Sequence, residues 1–73
     1  MMRYTPDRCR LIELYEETKI SQRELSLLSG ISESQLSDYA HNRKVMGLGV
    51  ARTIVRCLRL DCIDQLYTWR KLD

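Results

Sequence analysis

The chain is poor in the residues from which catalytic and metal sites are built. It has one His, one Pro and three Gly among 73 residues, and Phe is absent. It contains no glycine-rich phosphate loop, no nucleophile motif and no metal-ligand spacing, and a chain of this length leaves little room for an enclosed pocket. The sequence therefore predicts neither an enzyme nor a bound cofactor or metal.

Cysteine and long apolar runs are also scarce. Cys9, Cys57 and Cys62 are an odd number, widely spaced and without a C-x-x-C pair, so neither a disulfide framework nor a zinc site is predicted. No run approaches the roughly 18 apolar residues that cross a bilayer, and the first residues lack the apolar stretch of a secretory signal. We expect reduced thiols, a cytoplasmic location and no membrane partner.

Charge is distributed unevenly behind a net charge of +2. Lys and Arg number five against seven Asp and Glu in residues 1–40, and seven against three in residues 41–73. An anionic partner would therefore be drawn to the second part of the chain. The alternation of β-branched residues typical of strands is absent, so the whole chain is predicted to be helical.

Two short helices joined by a turn are predicted in the segment SQRELSLLSGISESQLSDYA, residues 21–40. Ser21 and Ser32 each precede a Glu or Gln by three residues, which is the capping-box pattern of a helix start. Gly30 stands where the first helix of the pair would end, and glycine adopts the left-handed conformation of such a position at little cost. The second helix is expected to end near His41.

Three further helices are predicted around this pair, with spans of about 6–18, 50–58 and 62–70. Thr5 before Pro6 is a favourable helix start, and Asp61 suits the N-cap of the last helix. An apolar stripe predicts the fourth helix, with three arginines, Arg52, Arg56 and Arg59, on its other side.

The predicted helix pair carries a set of residues at fixed spacing: Gln22, Glu24, Leu25, Gly30, Ile31, Ser32, Leu36 and Tyr39. With this set, residues 21 to about 67 resemble the Cro and phage-repressor (XRE-type) helix-turn-helix family. The resemblance implies an all-α fold, a compact five-helix lambda-repressor-like domain over residues 1–73, with the helix-turn-helix core at about 21–42. It also implies a sequence-specific transcriptional regulator of bacterial or phage type that represses by occluding its operator.

The second helix of the pair, about 33–41, would enter the major groove of double-stranded DNA. A helical wheel places Ser34, Ser37 and Asp38 on its outward face, with Glu33 at the edge. The resemblance implies that these four residues read base edges, where acids can accept a hydrogen bond from cytosine. The resemblance also implies that Gln22 binds a phosphate at a helix start. The other residues expected to bind phosphates are Arg23, Ser32, His41, Asn42, Arg43 and Lys44.

The outward face departs from the family because it carries two acids and serines, with no Lys or Arg between residues 31 and 40. Like charges oppose the approach of a polyanion unless cytosines are read. A second hypothesis is therefore a protein-interaction module of the same fold, an antirepressor or regulator-binding protein with weak or no DNA binding. Plainer interpretations also stand: Glu33 as a charge that complements the helix dipole, and His41 and the three arginines as solvated surface.

The last predicted helix has more apolar residues than one buried face needs. Ile63, Leu66, Tyr67 and Trp69 are therefore predicted to form a dimer or partner surface. A symmetric homodimer would suit an operator with two half-sites, and another regulatory protein or a monomeric state is left open.

Overall fold

The computed structural model describes residues 2–72 of the chain. Along the described residues, one strand comes first and one comes last, with four α-helices and one 3-10 turn between them. The elements are β1 (Arg3–Cys9), α1 (Leu11–Thr18), α2 (Gln22–Ser29), α3 (Glu33–Ala40), α4 (Leu48–Leu58), the 3-10 turn (Ile63–Leu66) and β2 (Tyr67–Leu72). The strands pair as a two-stranded antiparallel sheet.

The prediction of an all-α, five-helix fold is wrong at both ends of the chain. Thr5 and Pro6 lie inside β1 instead of starting a helix, and the 3-10 turn with β2 replaces the helix predicted over 62–70. Cys62, not Asp61, is the N-cap of that turn. The aromatic and β-branched residues at the start of β2 favour a strand, and an edge strand tolerates proline because its outer N–H groups need no partner.

The sheet joins the two ends of the described chain. Its register runs from Arg3 opposite Leu72 to Cys9 opposite Tyr67, with an irregularity between Pro6 and Arg8. The backbone N–H of Arg10 donates to the carbonyl of Leu66 at 2.8 Å, which extends the contact to the start of α1. Residues distant in sequence therefore close the domain.

The helix pair forms as predicted. Ser21 accepts a hydrogen bond from the backbone N–H of Glu24, the Glu24 side chain accepts one from the N-cap backbone, and Gly30 takes the left-handed conformation at φ 76°. Ser32 caps α3 by accepting from the N–H of Gln35, which is half of the predicted second capping box. Ser26 also donates to the carbonyl of Ile31 at 2.6 Å and ties α2 to the turn.

The core lies where the helices and the 3-10 turn meet. Its fully buried large side chains are Leu11, Leu14, Leu25, Leu36, Ile54 and Leu66. α2 packs against α3 and α4, and α1 packs against α3. Leu25 is the buried residue of α2, whereas Leu28 on the same helix is 61% exposed.

Candidate nucleic-acid interface

The outward face of α3 is uncovered while the opposite face is packed. Leu36, Tyr39 and Ala40 are buried, as the helical wheel indicated. The predicted base-reading residues lie on the other side: Glu33 and Ser34 are exposed, and Ser37 and Asp38 are partly exposed. The turn after α2 and the cap at Ser32 therefore orient α3 so that its polar side faces solvent.

Two cations from the loop after α3 lie against Asp38. Arg43 donates from Nε to Asp38 Oδ1 at 2.8 Å and from Nη2 to Ser37 Oγ at 3.2 Å. Lys44 Nζ lies 3.7 Å from Asp38 Oδ2. The hydrogen bond from Arg43, with the charges of both cations, lowers the pKa of Asp38 below its ordinary value. One of the two acids on the predicted DNA-facing side is thus neutralised within the chain.

The loop that carries these cations is fixed at both ends. Asn42, in the left-handed conformation at φ 62°, accepts a hydrogen bond on Oδ1 from the backbone N–H of Cys9 at 2.8 Å. The N–H of Met46 donates to the hydroxyl oxygen of Tyr67 at 3.1 Å. Asn42 was predicted as a phosphate ligand, and the structure shows its side chain bound to β1. The only sequence signal for this role is that asparagine tolerates the left-handed region better than most residues.

The other predicted phosphate ligands are distributed around α3. Gln22 is the first residue of α2 and Ser32 is the N-cap of α3, so both stand at helix starts, where backbone amides attract anions. Arg23 is exposed and has no ion-pair partner in residues 2–72. His41 Nδ1 lies 2.9 Å from the carbonyl oxygen of Ser37, so its ring is held at the end of α3.

The residues of the predicted partner surface differ in exposure, because some of them are buried in the core. Leu66 and Tyr67 are 0% and 7% exposed and belong to the chain's own core, so they are not open to a partner. Trp69 remains 39% exposed, with Nε1 donating to the carbonyl of Asp64 at 3.0 Å. Beside Trp69 is an apolar groove of about 140 Å3, lined by Pro6, Val45, Met46, Leu48, Ala51, Ile63, Leu66, Tyr67 and Trp69.

The exposed side of α4 is cationic. Arg52, Arg56 and Arg59 are exposed, as predicted, and form no ion pair within the described part of the chain. Leu48, at the start of α4, is 80% exposed and lines both the apolar groove and the surface that carries Arg52 and Arg56. An apolar groove thus adjoins an arginine-rich helix face.

Residues 2–72 contain neither a cluster of metal ligands nor a helix that could span a membrane. No cluster of three or more His, Cys, Asp or Glu side chains there could hold a metal ion. Over the same range, every helix is too short or too polar to cross a bilayer. The chain matches no protein-family model and no curated protein.

Proposed function

We propose that this protein is a sequence-specific DNA-binding regulator of transcription of bacterial or phage type, which acts in the cytoplasm without a cofactor and represses by occluding its operator. One observation carries the proposal. α3 is a short, capped helix directly after a glycine turn, its apolar side is buried, and its polar side is uncovered next to a cationic loop.

The dimensions suit the major groove. An α-helix with its side chains is about 10–12 Å across, and the groove is about 12 Å wide. Glu33, Ser34 and Ser37 would then face base edges, where the carboxylate accepts from the amino group of cytosine and the hydroxyls bond to either kind of edge. Lys44 and Arg23 would bind phosphates on either side of the groove, together with the backbone amides at the starts of α2 and α3.

The charge of the proposed reading face is less adverse than the sequence indicated. Arg43 and Lys44 offset the carboxylate of Asp38. Glu33 lies in the first turn of α3, where the helix dipole favours an acid. It forms no ion pair in residues 2–72, so it is the one acid of the outward face that no cation offsets there. A single acid facing the groove is compatible with reading one cytosine per site.

Selection of bound duplexes from a random DNA library tests the proposal. At about 0.15 M salt, where non-specific binding is weakened, the protein should enrich one motif. The affinity for that motif should fall with salt at a log–log slope of about −0.9 for each phosphate contacted. A palindromic motif would indicate a dimer. A folded, helical protein that enriches nothing would contradict the proposal.

A second candidate is favoured by the groove beside Trp69. Exposed Val45, Leu48 and Trp69 line it, and Arg52 and Arg56 lie on the adjoining face of α4. An apolar floor beside unpaired arginines suits an acidic segment of another regulatory protein with apolar side chains. Such a protein-interaction module would bind DNA weakly and without sequence preference, so the same selection distinguishes the two functions.

A further inference from the structure

We propose that Arg43 reads a guanine in the major groove and that Asp38 and Ser37 hold it in position for this. The inference rests on the proposed DNA binding and names the base that this part of the interface recognises. It also changes the roles of two residues: Arg43 was expected to bind a phosphate, and Asp38 was expected to accept a hydrogen bond from cytosine.

The hydrogen bonds of the Arg43 guanidinium divide its donors into two groups. Nε and Nη2 together form the side fork of an arginine, and here they donate to Asp38 Oδ1 at 2.8 Å and Ser37 Oγ at 3.2 Å. A guanidinium has five N–H donors, so three remain, two on Nη1 and one on Nη2. Those on Nη1 and Nη2 form the end fork, whose two parallel donors match O6 and N7 of guanine.

The place of Arg43 favours a base over a phosphate. Both of its side-chain partners belong to the outward face of α3, the helix proposed to lie in the groove. Its backbone N–H also donates to the carbonyl of Asp38 at 2.8 Å, so backbone and side chain are both fixed to the end of α3. A side chain held in one conformation loses less entropy on binding than a free one.

The geometry of Asp38 fits a positioning role. Its two carboxylate oxygens already face Arg43 and Lys44, and its side chain is 25% exposed against 57% for Arg43. A cytosine amino group would have to compete with these two cations for the same two oxygens. Arg43 is the more accessible group, with donors to spare. Lys44, 3.7 Å from Asp38 and bound by charge alone, remains the phosphate ligand of the loop.

The test compares variants on a panel of duplexes. The parent duplex is the one enriched by the unaltered protein, and each position is changed singly to the other bases. The unaltered protein should require guanine at one position of each site. Arg43→Ala should lose about 5- to 150-fold of discrimination at that position and keep the preferences elsewhere. Asp38→Ala should reduce discrimination at the same position only.

Lys44→Ala is the matched control, because it removes a neighbouring cation of the same loop. It should weaken binding to every duplex equally and reduce the salt slope by about 0.9. If Arg43→Ala behaves like Lys44→Ala, Arg43 is a phosphate ligand: the inference fails and the proposed function stands. If the unaltered protein enriches no duplex, both fail. Circular dichroism of each variant confirms that the helices are intact.

Discussion

The side-chain oxygen of Asn42 accepts a hydrogen bond from the backbone N–H of Cys9 at 2.8 Å. This contact joins the loop after α3 to β1, and the hydrogen bond from Met46 to Tyr67 joins the other end of the loop to β2. The two-stranded sheet is therefore the base on which Arg43 and Lys44 are held beside α3. A fold without that sheet would leave the loop attached only through its helices.

Two substitutions at Asn42 separate its hydrogen bond from its backbone conformation. Asn42→Gly removes the acceptor but suits φ 62°, and should lower the free energy of unfolding by about 1–2 kcal/mol. Asn42→Ala adds the strain of the left-handed region and should lower it by about 2–3 kcal/mol. Urea unfolding measures both. Values within about 0.5 kcal/mol of the unaltered protein for both variants would show that the tether is dispensable.

The ion pair of Asp38 should be visible in its titration. Because the pKa of Asp38 is lowered in the folded protein, the pair contributes stability above the ordinary pKa of about 3.9. That contribution is lost as the pH falls through the folded-state pKa. Carboxyl carbon NMR should give a midpoint below the ordinary value in the unaltered protein and a higher midpoint in Arg43→Ala, where Lys44 alone remains beside the carboxylate.

Glu13 provides the internal control for this titration. Hydrogen bonds from Arg8 and Arg10 lower the pKa of Glu13. Within residues 2–72, neither arginine forms a hydrogen bond with the loop after α3. Arg43→Ala should therefore leave the midpoint of Glu13 unchanged. If the titration midpoint of Asp38 were the same in Arg43→Ala as in the unaltered protein, the two side chains would not be paired in solution.

Leu36 and Leu28 form a matched pair on the two helices of the turn. Leu36 is 0% exposed, and Leu36→Ala should lower the free energy of unfolding by about 2–5 kcal/mol through lost burial and a cavity. Leu28 is 61% exposed, and Leu28→Ala should change it by no more than about 0.5 kcal/mol. Equal losses in the two variants, measured by thermal or urea unfolding, would place Leu28 in the core.

Tyr15 carries the buried hydroxyl that lacks a hydrogen-bond partner in residues 2–72. Burial raises the pKa of Tyr15 to about 12. Because the folded-state pKa is the higher one, stability should decline as the pH rises from about 10, where the unfolded chain ionises, towards 12. Tyr15→Phe should raise the free energy of unfolding by about 1 kcal/mol and weaken this alkaline decline, to which Tyr67 also contributes because burial raises its pKa. A destabilised phenylalanine variant would point to a partner for the hydroxyl.

The parts of the fold with local signals were predictable. Ser21 with Glu24 and the position of Gly30 identify α2 and its turn, since capping depends on residues three or four apart. The sheet could not be predicted in this way, because its paired residues, such as Arg3 with Leu72 and Cys9 with Tyr67, are separated by nearly the whole chain. Pro6 gave no help, since proline suits both a first helical turn and an edge strand.

The candidate site divides in the same way. Helical periodicity alone predicts which side of α3 is buried, and the burial of Leu36 and Tyr39 confirms it. The pairing of Arg43 with Asp38 depends on how the chain turns after α3, which no spacing in the sequence specifies. The burial of Leu66 likewise depends on β2, which follows it in the chain. Because the sequence predicts a helix there, it assigns Leu66 to a partner surface and does not predict that it is buried.

Chemical-shift mapping tests the central claim most directly. Nitrogen-15-labelled protein would be titrated with the duplex enriched from the random library, and both backbone amides and the Nε–H of Arg43 would be followed. The account predicts that the largest changes fall on α3, the start of α2 and the loop through Lys44, with Trp69 unaffected. Changes centred on the groove beside Trp69 and on α4, with α3 silent, would contradict it.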